Sequence, residues 1–189
     1  MPKIIKGIEE KIFNAGMNLF GEKGYSNVDM KMIAKEADIA VGTLYNYYSN
    51  KKQLYIKVFE VSWKYTFSKL DTIIESSIPL EEKIEGVVIT LYEEIERKKG
   101  IGQELTKENV FDKNKGDGMS WIKNELIRKM EFLIMKLKIK YGIKLEEGME
   151  GRFVETMLIL INEMSKEHPD EKEKNIKYIN QILQLIYVK

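Results

Sequence analysis

The stretch VGTLYNYYSNKKQLY, residues 41–55, places four tyrosines (45, 47, 48 and 55), a glycine, a threonine and two adjacent lysines within one short span. Val41 and Leu44 lie three apart and Tyr48 lies four further on, so they share one face of a short helix and turn toward a small core. Tyr45 and Tyr47 then face away from it. Their phenols can donate hydrogen bonds to phosphate oxygens while the rings pack on sugars or thymine methyl groups. Gly42 has no side chain to hold the backbone off a sugar-phosphate wall, and Thr43 offers a methyl and a hydroxyl to base edges or phosphate. Asn50 followed by Gln53 reads as a cap and its reciprocal partner at the start of a further helix. Lys51 and Lys52 occupy its first turn, where the helix dipole disfavours a cation by up to about 1 kcal/mol. An anionic partner would offset that cost. Taken singly, a tyrosine at helical spacing is ordinarily packing and a lysine pair is ordinarily a solvated face. It is their coincidence in one stretch that points to a polyanion.

Upstream, the apolar residues at 5, 8, 12, 13, 15, 19 and 20 describe one helical stripe, with Gly24 placed to end it. Asp29 can cap a second helix whose core residues are Met30, Ile33, Ala34 and Ala37. Only Asp38 to Ala40 remain as a turn before Val41. The pattern is a helix-turn-helix whose third helix is the candidate to enter a major groove.

These residues resemble the TetR family of transcriptional regulators over about residues 8–55, through LFGEKGY (19–25), MKMIAKEADIA (30–40) and above all VGTLYNYYSNKKQLY. The resemblance implies an all-α homodimer with a three-helix DNA-binding domain and a larger helical domain that dimerises and binds a small effector. It also implies that the positions held by Thr43, Tyr45, Tyr47 and Lys51 meet DNA and that Gly42 permits close approach. On this reading residues 1–49 form the DNA-binding domain, a helix from 50 links the domains, and residues 50–189 form the effector-binding and dimerisation domain. The expected function is that of a sequence-specific repressor, released from operator DNA by a small apolar effector. Its two recognition helices would meet half-sites roughly 34 to 36 Å apart. Three positions depart from the family pattern: Asp38 stands where glycine is usual in the turn, Ala40 where a capping serine is frequent, and Asp29 where threonine is frequent.

Beyond the signature, periodicity carries the reading. Apolar positions 54, 55, 58, 59, 63, 67, 70 and 74 predict a long helix from Asn50 to about Ser77, stopped by Pro79. Further helices are expected at about 80–98, 102–111, 119–140, 146–167 and 172–187, with DKNKGDG (112–118) as a polar loop. Phe153, Met157, Leu158, Ile161 and Met164, followed by Ile176, Ile179, Ile182, Leu183 and Ile186, put apolar stripes on the last two helices. Together these offer more than one helical pair can bury. A second subunit would cover the excess, which makes Met157, Ile161, Ile179, Leu183 and Ile186 the expected dimer residues. Trp63, Phe67, Tyr92, Trp121 and Met130 are the expected effector-pocket residues, with Leu70 and Met135 nearby.

The 112–118 loop carries Asp117 where a calcium loop needs glycine and Lys123 where it needs glutamate. GIG at 100–102 lacks the third glycine of a dinucleotide loop. With no cysteine and a single histidine, His168, neither a nucleophile–base pair nor a histidine-rich metal site can be assembled. No cofactor and no enzymatic activity are therefore expected. Ten lysines face seven acidic residues up to position 65, against 21 basic and 23 acidic residues beyond it, a modest positive bias toward the amino-terminal part. No apolar run is long enough to span a membrane, and glutamates interrupt the amino terminus where a signal peptide needs its apolar stretch, so a cytoplasmic protein is expected.

Overall fold

The computed structural model describes residues 7–98 and 120–187. Among them the chain forms eight α-helices: α1 (Ile8–Lys23), α2 (Met30–Glu36), α3 (Val41–Tyr47), α4 (Lys51–Glu75), α5 (Leu80–Arg97), α6 (Ser120–Tyr141), α7 (Glu150–Glu167) and α8 (Lys172–Tyr187). The fold is all-α, and each element lies within a few residues of its expected span. The helix expected at 102–111 and the loop at 112–118 lie outside the described residues. The largest shift is at α7, expected from 146: Gly148 takes φ 80, a left-handed conformation closed to most side chains, and the helix begins only at Glu150.

The chain divides into two compact units. Among the described residues, the first comprises α1 to α3, α4 as far as Tyr65, and Arg97 with Lys98; the second comprises Thr66–Glu96 and the helices from 120 onward. The helix begins next to the expected boundary at 49/50, but packing divides it at 65/66. The reason lies in the first turns of α4, whose Leu54, Tyr55, Val58 and Phe59 are buried in the first unit along with Ile12, Phe20, Ile33 and Leu44. Phe20 and Tyr55 meet edge-on with ring centroids 4.8 Å apart.

In the second unit α4 continues to Glu75, and Lys83 Nζ closes its end by donating to the Ile74 carbonyl at 2.6 Å. The apolar core draws Ile84, Val87, Val88 and Leu91 from α5, Leu133 and Leu137 from α6, Val154 and Ile161 from α7, and Ile179 and Leu183 from α8. Two buried charges in this unit are paired. Glu94, almost fully buried, accepts from Thr66 Oγ1 at 3.0 Å and from Lys69 Nζ at 2.7 Å. The buried Lys129 ammonium pairs with Asp71 and, at 3.2 Å, with Glu125.

Candidate nucleic-acid interface

Each turn of the helix-turn-helix has an identifiable cause. Asp29 Oδ1 accepts from the Met32 amide at 2.8 Å and caps α2. Asp38 takes φ 53 in the turn, supplying the left-handed residue for which glycine would be cheaper; aspartate is among the few side chains that tolerate it. Ala40 provides no side-chain cap, so the Thr43 and Leu44 amides both turn to its carbonyl, at 2.9 and 3.2 Å. The start of α3 is therefore held by its neighbours' packing.

That packing is anchored by Leu44, which is 0% exposed, while Tyr45 and Tyr47 are 49% and 39% exposed. Thr43 is half-buried and Gly42 is exposed. A methyl group added at Gly42 would meet nothing within 4 Å. Inside the protein nothing requires glycine there, although in a helix it is about 0.5–1 kcal/mol less favourable than alanine. Tyr48, at the end of α3, is half-buried, and burial together with the neighbouring Glu9 carboxylate raises its phenol pKa. Gly42, Thr43, Tyr45 and Tyr47 thus lie on one short helix whose inner face is occupied by Leu44.

The start of α4 differs from expectation in two details. Asn50 Oδ1 does accept from the Gln53 amide at 2.9 Å, but Gln53 Oε1 returns to the Ser49 amide (3.3 Å) and hydroxyl (2.9 Å). The cap therefore extends one residue further back and ties down the α3–α4 connection. Lys51 is turned inward: its ammonium donates to the Tyr25 carbonyl at 2.8 Å and sits 4.0 Å from the centroid of the Tyr25 ring. Lys52 is exposed. Within the chain, the Lys51 ammonium is thus engaged at the α1–α2 corner while Lys52 faces outward. Tyr25, in the α1–α2 corner, was missed as a partner because nothing in local spacing links it to a residue 26 positions on.

The second unit redistributes the remaining expected residues. An apolar cavity between α5, α6, α7 and α8 encloses about 60 Å³ of space open to the centre of a water molecule. Its lining includes Val88, Leu133, Phe153 and Leu158, and every lining residue is apolar. Of the expected pocket residues, Met130 lines it. Phe67 packs against Trp121 at 5.7 Å, Tyr92 is bound to Asn175, and Trp63 belongs to the first unit beside Phe59. Met157, Ile161 and Leu183, expected at a dimer seam, line the cavity instead, and Ile179 is 0% exposed. Ile161, Ile179 and Leu183 are already buried in their own chain and have almost no surface to give a partner. The side chain of Ile186 lies outside the described residues. Among the described side chains of α7 and α8, the large apolar ones left in the open are Ile159 (64%), Tyr178 (49%) and Leu185 (82%). Periodicity counts apolar positions but does not say which of two apolar faces its own chain covers.

Among the described residues no helix is long and apolar enough to cross a membrane, and no cluster of acidic residues and histidine is arranged to hold a metal ion.

Residues 12–58 match the family model for bacterial regulatory proteins of the tetR family. The chain is 31% identical over 136 residues to the HTH-type transcriptional regulator YhgD of Bacillus subtilis, across 70% of this chain and 68% of that protein. It is 28% identical over 78 residues to the fatty acid metabolism regulator protein of the same organism, spanning 41% of this chain and 40% of that one. The solved structure of the fatty acid degradation regulator FadR from Bacillus halodurans superposes with a TM-score of 0.73 at 19% identity, covering 96% of each chain. With the helix-turn-helix geometry and these likenesses together, the chain belongs to the TetR family of DNA-binding transcriptional regulators, proteins that control transcription and do not catalyse reactions.

Proposed function

We propose that the protein is a homodimeric repressor whose operator affinity falls when a hydrocarbon-bearing effector occupies the α5–α8 cavity. The DNA-facing surface is the outer side of α3, with Gly42, Thr43, Tyr45 and Tyr47. The observation that carries it is the open space at Gly42: a residue unfavourable for the helix and unneeded by the fold is explained by a partner that must come close. Phenol groups beside it suit phosphate and sugar.

The wholly apolar lining of the cavity supports an effector whose inserted part makes no hydrogen bond, since an unpaired polar group there would cost about 1–3 kcal/mol. Met130 and Met157 add flexible walls that can adapt to a chain. The likeness to regulators of fatty acid metabolism and degradation favours an acyl-type chain over an aromatic compound. Ile159, Tyr178 and Leu185 provide the apolar surface for the second subunit.

Selection of bound genomic fragments by the full-length protein, followed by footprinting, tests the first part: a protected sequence with two related half-sites is expected. Titration of that complex with straight-chain amphiphiles tests the second. Release must be matched by weaker amphiphile binding in the presence of operator, because the coupling is reciprocal. A protein that selects no sequence, or an operator complex indifferent to every apolar compound that binds, defeats the corresponding part.

A further inference from the structure

We propose that Asn46 is the side chain of α3 that reads DNA sequence, pairing its amide with the edge of an adenine in the major groove. This rests on the DNA-binding reading of α3 given above and adds to it the residue that selects a base and the base that it takes.

The buried Leu44 fixes the inward direction of α3. At roughly 100° per residue, Gly42 and Asn46 each stand about 160° around the helix from Leu44 and about 40° from one another, so they share the face farthest from the core. Both are exposed. Thr43 and Tyr45 lie about 100° from Leu44 on opposite flanks, and Tyr47 about 60° from it on the Thr43 side. The exposures follow these angles, with Tyr45 at 49% and Tyr47 at 39%. Asn46 therefore occupies the middle of the outer face, and the two tyrosines stand on its shoulders.

Nothing in the fold accounts for an asparagine there. Among the described residues none hydrogen-bonds the Asn46 side chain, whereas Asn27 donates to the Lys23 carbonyl at 3.0 Å, Asn50 caps α4 and Asn175 holds Tyr92. Asparagine is also a weak helix former, because its amide competes for backbone groups, so a short helix gains nothing from it. The chemistry selects the base. A planar amide carries one acceptor beside one donor: Oδ1 accepts from adenine N6–H while Nδ2 donates to N7, a pairing that no other base edge offers in the major groove. A phosphate oxygen would use the donor alone. The side chain is short, so it meets a base only if the backbone of α3 comes close. Gly42, one turn earlier on the same face and with open space where a methyl would stand, permits that approach. The longer tyrosines reach outward to the phosphate walls on either side.

The test begins with a site selected from random duplexes by the full-length wild type. Each base pair of that site is then changed singly, and binding of the wild type and of Asn46→Ala is measured. The wild type should prefer adenine at one position of each half-site by about tenfold or more, and Asn46→Ala should bind all four pairs there within about twofold. Its other base preferences and its affinity for a duplex of arbitrary sequence should stay unchanged. Replacing that adenine by 7-deazaadenine, which lacks the N7 acceptor, should weaken the wild type several-fold and leave Asn46→Ala unaffected. Alanine is the better helix former at an exposed position, so the variant should keep its fold, as circular dichroism checks. A loss of affinity equal on every sequence makes Asn46 a phosphate contact and overturns the proposal. So does a variant that keeps every wild-type base preference. A wild type that selects no sequence is a different result, which defeats the DNA-binding reading itself and this inference with it.

Discussion

Asn175, in the first turn of α8, donates from Nδ2 to the Tyr92 hydroxyl of α5 at 2.8 Å, with both residues buried. The same nitrogen reaches the His168 carbonyl at 2.8 Å and the Met164 carbonyl at 3.1 Å, so one amide pins the α7–α8 corner to α5. An amide nitrogen has two hydrogens for these three acceptors, which makes at least one of the bonds shared. Tyr92, read from sequence as a pocket residue, is instead a fixed post of the second unit. Asn175→Ala would remove three bonds at once, taking the donor from the buried Tyr92 hydroxyl while the Met164 and His168 carbonyls keep the His168 and Glu171 amides, and should destabilise the protein by about 1–3 kcal/mol, and Tyr92→Phe by about 1 kcal/mol. Urea unfolding of the two variants checks the order.

Gly42→Ala and Leu44→Ala should act in opposite ways. Alanine at 42 enters open space in a helix, so the variant should be as stable as wild type or up to about 1 kcal/mol more stable, yet bind operator more weakly. Alanine at 44 removes a fully buried side chain and should cost about 2–5 kcal/mol, losing DNA binding through unfolding. Thermal melts beside binding isotherms separate the two. A Gly42→Ala variant with undiminished operator affinity would remove the main support for the close approach.

Filling the cavity should uncouple effector from operator. Met157 is half-buried on the cavity wall, so Met157→Trp can push a ring into the space with little strain on the rest of the core. The variant should keep operator affinity and lose the response to straight-chain amphiphiles. Calorimetry on the wild type should show the negative heat-capacity change of apolar burial, and the variant should not.

Charges placed on the exposed apolar residues should split the proposed dimer without unfolding the chain. Ile159→Asp with Leu185→Asp puts two carboxylates where a partner's apolar surface would desolvate them. Sedimentation should show single-chain mass with an unchanged helical signal. Ile179→Glu with Leu183→Glu, by contrast, should unfold the second unit, because both side chains are interior.

Acid should loosen α6 late. Hydrogen bonding to Arg128 foremost, with Lys129 adding to it against the opposing effect of burial, holds the Glu125 carboxyl down to about 2. A carboxyl depressed in the folded state contributes stability that is fully present above its unfolded pKa near 4.3 and is lost as the pH falls toward about 2. The pair is partly exposed, so salt should weaken the effect. Glu125→Gln should lower stability modestly at neutral pH, where the ionised carboxylate contributes, and converge on wild type toward about pH 2, so that the profile below about pH 4 is flatter, as followed by denaturant midpoints across pH.

The sequence alone determined the helices and the head. Apolar spacing, Gly24, Asp29, the Asp38 turn, Asn50 and Pro79 are local signals, each acting within a turn or two of the chain. The structure places α1 to α5, α6 and α8 within about three residues of where those signals put them. The inward Leu44 and the outward Tyr45 and Tyr47 were equally legible, because a seven-residue helix over a small core has one inner face. Only the tertiary structure decided the rest. That the first lysine of α4 reaches a carbonyl of its own chain depends on Tyr25, which is brought to Lys51 by the packing of α1 against α4. Whether Met157, Ile161 and Leu183 face a partner or a cavity depends on which stripe α5 and α6 cover. Periodicity sets the angle of a side chain around its own helix, but burial is set by the neighbour that occupies that angle, and the neighbour comes from a distant part of the chain.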